Sequence, residues 1–314
     1  MTLTELKYIV AVARERHFGR AAEACFVSQP TLSVAIRKLE EDLGVVLFER
    51  GGTEVGITPI GLRVVEQAQR VLEETANLRE IARQGQDPLA GPLRVGVIYT
   101  IGPYLLPKLV PVQIAAAPQM PLLLQENFTV RLLELLRQGE IDCAIVALPL
   151  PESGLLSLPL YDEPFIAAVP KTHPLAALSE IDAEDLKNET MLLLGAGHCF
   201  RDQVLEVCPE LSRFSAASDG IQRTFEGSSL ETIRHMVAAG IGVTVLPASA
   251  LSMPGLETKL VSYVPFKPPV PDRRVVLVWR KSFPRPQAIE TLAQAIRDCE
   301  LPGVKYLKEE VAVS

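Results

Sequence analysis

The chain has 314 residues, 48% hydrophobic and 22% charged, with a formal net charge of −7. That length accommodates two or three compact units, and the balance is that of globular domains, not of disordered or membrane-spanning chains. The acidic sum argues against a protein that coats nucleic acid non-specifically, while leaving room for a small basic reading surface. The opening "MTLTELKYIVAVARERHF" has no long apolar run leading to a small-residue cleavage site, so no secretory signal is expected. No stretch is apolar for long enough to span a bilayer. Five cysteines, odd in number and irregularly spaced, do not read as a disulfide framework. A cytoplasmic protein with reduced thiols is expected.

Residues 1–58 read as a small helical unit with a hairpin. Leu6, Ile9, Val10 and Ala13 recur at helical spacing. "FGRAAEACFVSQPTLSVAIRKLEEDLG" then gives a short helix, a tight connection and a longer helix. Ser28 is its N-cap, Pro30 sits in the first turn, and Gly44 closes it. Leu32, Ile36, Leu39 and Leu43 form the buried stripe of that helix. Gln29, Ser33 and Arg37 follow at i+4 steps on another side, beside Thr31 and Lys38. "VVLFERGGTEVGIT" alternates like two strands around a Gly-Gly turn, with Arg50 at the tip. Gln and Arg pair bidentately with base edges, and Ser, Thr and Lys hold phosphates, so such a helix suits the major groove. Polar residues opposite a buried stripe are also what any surface helix carries. Residues 1–60 hold seven Lys or Arg against eight acids, so a footprint for DNA must come from local clustering.

The pattern "AA…SQPTLS…I.KLE..LG..LFER…T..G" decides between these readings, because it resembles the N-terminal domain of the LysR-type transcriptional regulators. The resemblance implies double-stranded promoter DNA as partner. It places the recognition positions on Gln29, Pro30, Thr31, Ser33, Arg37 and Lys38, with Arg50 in the wing.

After Thr58 and Pro59 a long helix is expected over 59–84. Val64, Ala68, Val71, Thr75, Leu78 and Ala82 alternate steps of four and three, a heptad seam that favours pairing with a second copy. The alternative is that this face packs on the chain's own body. "GQDPLAGP" at 85–92 is a Gly/Pro hinge.

From Leu93 short apolar runs alternate with helical segments, the texture of an α/β domain. "LRVGVI", "DCAIVAL", "PFIAAVP", "MLLLG", "GVTVLP" and "RVVLVWR" read as strands. The expected chain path visits one subdomain at 93–165, crosses to a second at 166–267, and returns at 268–300, leaving 301–314 as a tail. In the LysR-type family this half has two periplasmic-binding-protein-like lobes. The fold expected overall is therefore an α/β regulatory domain preceded by an all-α winged helix-turn-helix domain and a long linker helix. A cleft between two such lobes normally houses a small ligand.

"GAGHCFRDQVLEVCPE" at 195–210 carries two cysteines nine positions apart. Gly195 and Gly197 break the preceding strand and Pro209 ends the helix, so Cys199 is expected at a helix N-terminus. The partial positive charge there favours a thiolate, and His198 and Arg201 beside it push the same way. A thiolate reacts with peroxide to a sulfenic acid, which a second cysteine condenses with. Cys208 is the candidate for that second thiol. Nine residues of helix rise about 13 Å, whereas a disulfide needs Cα atoms within about 7 Å. The bond requires the helix to give way. Two buried, inert cysteines are the alternative.

"GHCFRDQ" with a cysteine nine residues on resembles the hydrogen-peroxide-sensing members of the LysR-type family. The likeness extends to "GPLRVGVIYTIGPYLLP", "ENFT", "YDEP" and "SSLETIRHMVAAGIGVTVLP", across the chain to about residue 300. It implies that Thr100 and Thr129 orient peroxide at Cys199, with His198 near them and Gly197, Arg201 and Asp202 in support. It also implies an arginine just before the late strand. Spacing from Trp279 favours Arg273, with Arg274 the neighbour facing the opposite side. A homodimer through the linker helix, a homotetramer and RNA polymerase are the further partners implied. Cys25, Cys143 and Cys299 read as free thiols, and no pair of these three sits at metal-ligand spacing beside histidines, so no metal or cofactor is expected. Two other functions remain open: a thiol peroxidase, and a regulator whose cleft binds a metabolite.

Overall fold

The computed structural model describes residues 1–49, 55–84, 87, 89–150, 154–207, 224–252, 259–307 and 312–313. Arg50, most of the hinge's first half and Cys208 lie outside the described residues. The chain divides into two compact units, Met1–Asp87 and Pro88–Ser314.

The N-terminal unit is built on well-capped helices. In α1 (Leu3–Glu15) the Thr2 side chain and Glu5 form a reciprocal capping box. His17 caps α2 (Phe18–Ala24) by accepting from the Gly19 and Arg20 amides. Ser28 Oγ accepts from the Thr31 amide at the start of α3 (Gln29–Leu43), and Gly44, with φ 69°, ends that helix in the left-handed region. Strands β1 (Phe48–Glu49) and β2 (Gly56–Ile57) pair antiparallel as the base of a wing. Leu6, Ile9, Val12, Ala21, Leu32, Ile36, Leu39 and Phe48 share one core.

Helix α4 (Pro59–Gln84) leaves this core partway along. Val65 and Ala68 are buried against the unit's own helices, chiefly α1. Val71 and Leu78 are 37% and 69% exposed. The expected heptad seam is thus divided: Ala68 serves the chain's own core, and Val71 and Leu78 are left uncovered. The side chain of Ala82 lies outside the described residues.

The second unit begins with β3 (Leu93–Ile98), α5 (Gly102–Ala116), β4 (Leu122–Asn127), α6 (Thr129–Arg137) and β5 (Cys143–Ala147). Strands β4, β3 and β5 lie parallel in that order. Then comes β6 (Leu155–Pro170), followed by β7 (Met191–Leu194), α7 (Cys199–Val207), β8 (Thr224–Gly227), α8 (Leu230–Ala238), β9 (Thr244–Pro247) and β10 (Val261–Pro265). The chain returns through β11 (Asp272–Arg280) and α9 (Pro286–Arg297). Two buried clusters result, one around β3, β5, β11 and α9, the other around β7, α8, β9 and β10.

The crossing between the lobes is not a loop. Strand β6 runs through both: Leu155–Pro164 pairs with β11, and Phe165–Pro170 with β9 and β10. The sequence reading found only its second half, because Pro159 and Pro164 argue against a central strand. The strand tolerates Pro159 by a register shift opposite Val275 and Val276, where Leu160 is skipped. A hydrogen bond from Tyr104 on α5 to Glu231 on α8 (2.8 Å) ties the lobes a second time.

Replacing Ser28 by Ala removes the cap of α3. It is expected to cost about 1 kcal/mol of the N-terminal unit's stability in urea unfolding.

Candidate functional site

Three strand-to-helix turns meet in the regulatory unit. Thr100 lies between the end of β3 and the start of α5, Thr129 is the first residue of α6, and Cys199 is the first residue of α7. Strands β3, β4 and β7 therefore all deliver their carboxyl ends, and the helices following them their N-termini, to one place. Open α/β sheets bind ligands at such ends, where backbone N–H groups and aligned peptide dipoles favour negative charge.

These turns enclose a cavity lined by Tyr99, Thr100, Phe128, Thr129, Gly197, His198 and Cys199, among others. Its volume is about 10 Å³, room for one water-sized molecule. The Thr129 hydroxyl donates to Cys199 Sγ at 3.7 Å, and the cysteine is only partly buried. Gly197 has φ 96°, which the tight turn before α7 requires and which side-chain-bearing residues rarely adopt.

Aromatic rings form one wall. His198 meets Phe128 at 4.8 Å between ring centroids and Tyr99 at 5.9 Å. Burial lowers its pKa, so the imidazole is neutral at neutral pH. Burial among these rings thus works against a positive charge on His198 beside the thiol.

Behind Thr100 lies a buried ion pair. Arg273 Nε donates to Glu163 Oε2 at 2.7 Å, Nη1 to Thr100 Oγ1 at 2.8 Å and Nη2 to the Thr100 carbonyl at 3.0 Å. Both charged side chains are 0% exposed. The guanidinium also stands 5.0 Å over the Phe200 ring, a cation–π contact. Glu163 Oε1 accepts from the Ser249 amide. Because the Thr100 hydroxyl oxygen accepts from Arg273, its own proton is free to donate elsewhere. Arg273 thus reaches the cavity through Thr100 and does not line it. Arg274, on the opposite face of β11, makes a two-bond pair with Asp162. Register separates the two arginines: Arg273 faces Glu163 across the strands and Arg274 faces Asp162.

The supporting residues divide. Arg201 donates to the Leu194 carbonyl at 2.9 Å, so it anchors α7 to the end of β7. Asp202 is exposed in the first turn. Gln203, which the sequence reading passed over, is buried and donates to the Leu148 carbonyl of the other lobe at 2.8 Å. Glu163 was also missed as a site residue. Its only sequence signal is an acid inside an apolar run, and its partner sits 110 positions away. Burial pushes the Cys25, Cys143 and Cys299 thiols up, Cys299 to about 11, consistent with inert packing. On α3, Gln29, Pro30, Thr31, Arg37 and Lys38 are exposed and Ser33 is half-buried. Among the described residues no helix is long and apolar enough to cross a membrane.

Replacing Glu163 by Ala strands the Arg273 charge in the interior. It is expected to destabilise the regulatory unit by about 3–5 kcal/mol in urea unfolding, whereas Arg274→Ala, breaking a partly exposed pair, costs under about 1 kcal/mol. His198, followed by the NMR shift of its ring C–H, is expected to titrate below the usual histidine value. Because the unfolded chain then takes the proton first, stability falls as pH drops through that usual value.

Comparison with known proteins places this arrangement. The description "Bacterial regulatory helix-turn-helix protein, lysR family" matches residues 3–62, and "LysR substrate binding domain" matches residues 86–299. The hydrogen peroxide-inducible genes activator of Dickeya chrysanthemi is 43% identical over 298 residues, covering 95% of each chain. The DNA-binding transcriptional dual regulator OxyR of Escherichia coli K12 is 43% identical over 297 residues, again 95% of each. Among solved structures, full-length OxyR of Pseudomonas aeruginosa with a cysteine-to-aspartate substitution is 54% identical. It covers 96% of this chain and 99% of its own, with a TM-score of 0.77. A cysteine mutant of Corynebacterium glutamicum OxyR with hydrogen peroxide bound is 34% identical over 94% of this chain and 91% of its own, with a TM-score of 0.61. The chain belongs to the LysR family of bacterial transcription regulators, alongside the OxyR proteins.

Proposed function

We propose that the chain is a peroxide-sensing transcription regulator in which hydrogen peroxide oxidises Cys199 and Cys208 then forms a disulfide with it. One observation carries the reading: a partly exposed cysteine at a helix N-terminus, bonded to Thr129, in a cavity of about 10 Å³. That space suits peroxide after slight widening, and no organic effector. The C. glutamicum relative with hydrogen peroxide bound supports it.

The chemistry follows from the placement. The Cys199 thiolate attacks one peroxide oxygen, the O–O bond breaks, and hydroxide leaves. Thr100 and Thr129 hold the peroxide by donating and accepting hydrogen bonds. The three helix N-termini, with Arg273 behind Thr100, stabilise the charge that develops on the departing oxygen. The Cys208 thiol then attacks the sulfenic sulfur; the S–S bond forms and water leaves. Helix α7 alone rises about 12 Å from Cys199 to Val207 and Cys208 comes next in the sequence, so the disulfide requires α7 to unwind. Unwinding breaks the Gln203 and Arg201 anchors, and that is the switch: a covalent trigger acting on a two-state element.

The readout is DNA. Gln29, Pro30, Thr31, Ser33, Arg37 and Lys38 read and hold promoter DNA, with Arg50 in the wing. Val71 and Leu78 on α4 pair with a second copy, two dimers make a tetramer, and RNA polymerase is the downstream partner. The protein works in the cytoplasm, changes the expression of antioxidant genes, and is a sensor, not an enzyme that turns over peroxide.

Cys199→Ser is expected to abolish the peroxide-dependent change in DNA footprint while DNA binding itself survives. Mass spectrometry of peroxide-treated protein should find a Cys199–Cys208 link. A reversible, peroxide-dependent footprint change in Cys208→Ser would overturn the disulfide step. Sustained peroxide consumption with a thiol reductant would instead indicate a peroxidase.

A further inference from the structure

Two apolar side chains on the DNA-facing part of the N-terminal unit serve no core. Phe26 is 96% exposed and Val34 is 68% exposed. Neither belongs to the positions that the family pattern assigns to DNA.

Phe26 breaks a local rule. Helix α2 ends in a paired hydrogen-bond motif, with the Phe26 amide donating to the Glu23 carbonyl and the Val27 amide to the Ala22 carbonyl. That pairing requires a left-handed residue just after the cap, the place where glycine is most favoured. Phe26 occupies it with φ 56°. The backbone accepts a strained bulky residue there, and the ring gains no packing in return. A residue that costs stability and leaves its side chain in water points to a contact outside the fold.

Val34 breaks a different rule. At about 100° per residue it stands almost diametrically opposite the stripe of Leu32, Ile36 and Leu39, which are all buried. It is therefore the outermost point of α3, flanked by Pro30, Thr31, Arg37 and Lys38. When this helix enters a major groove, the outermost residue comes nearest the base edges. The one apolar group displayed there is the thymine C5 methyl.

We propose that Phe26 and Val34 form an apolar part of the DNA-reading surface. Val34 is set against thymine methyls in the major groove, and Phe26 packs on the deoxyribose face of the flanking backbone. Val34 then contributes sequence preference for thymine, and Phe26 contributes affinity without preference. The occupant is duplex DNA because Val34 stands between the exposed Arg37 and Lys38 on α3, and Phe26 lies in the turn that leads to the exposed Gln29 at its start. The inference rests on the DNA-binding reading above.

The test uses the full-length protein and duplexes it selects from a random-sequence pool, each compared with a copy carrying uracil for thymine. The wild-type protein should lose about fourfold in affinity for each contacted methyl removed. Val34→Ala should bind the thymine duplex more weakly by a similar factor, and lose no more on the uracil copy. Phe26→Gly should melt at the same or a higher temperature, yet bind both duplexes severalfold more weakly. Equal wild-type binding to thymine and uracil duplexes, or equal methyl dependence in Val34→Ala, overturns the role of Val34. Unchanged DNA affinity in Phe26→Gly overturns that of Phe26; lost activation with intact binding would assign its ring to a protein partner instead. If the wild-type protein selects no DNA at all, it is the DNA-binding reading that fails.

Discussion

A positive and a negative charge with no exposed surface, Arg273 and Glu163, face each other across β6 and β11. Burying such a pair costs several kcal/mol per ion unless every remaining donor and acceptor finds a partner. Here Glu163 accepts from Arg273 and from the Ser249 amide, and Arg273 donates one N–H from each of its two terminal nitrogens to the two oxygens of Thr100. The pair therefore constrains three things at once. It fixes β6 against β11 where the strand passes from one lobe to the other, it holds the short helical turn Ala248–Ser252 against that strand, and it fixes the residue from which the cavity begins.

Part of the Cys199 site stands one bond away from this pair. Thr100, with its oxygen committed to Arg273, presents only its proton to the cavity. Thr129 reaches the thiol from α6 on the opposite side. Phe200, the residue after the cysteine, lies under the Arg273 guanidinium, so the start of α7 rests on the same support. The Arg201 bond to the Leu194 carbonyl anchors the same turn. Farther along, the Gln203 amide donates to the Leu148 carbonyl of the other lobe, and Val204 is buried in the second lobe's core. Among the described residues the Gln203 side-chain oxygen is buried without a partner, a local cost within a packed helix.

The N-terminal unit uses the same economy differently. Its helices are capped by Thr2, His17 and Ser28, so local stability is strong. Departures from local rules then stand out: the strained Phe26, the outward Val34, and the uncovered Val71 and Leu78 on α4. Each is an apolar group that the monomer does not use, and each lies where DNA or a second copy has reason to cover it.

The sequence by itself determined the helix-turn-helix, its caps, the buried stripe of Leu32, Ile36 and Leu39, and the start of a helix at Cys199. These follow from spacing and turn chemistry within a few residues, which is the range over which a chain constrains itself. Its likeness to LysR-type regulators added the threonines and the arginine that no local pattern singles out. Only the tertiary structure decided that β6 spans both lobes despite Pro159 and Pro164, since a bulge opposite Val275 and Val276 absorbs the defect. It alone separated Arg273 from Arg274, because alternate residues of a strand face opposite sides and the pairing register says which side is buried. It alone placed His198 among aromatic rings and gave Glu163 its partner, because burial and ion pairing depend on groups 70 to 110 positions apart that meet only when the sheet closes.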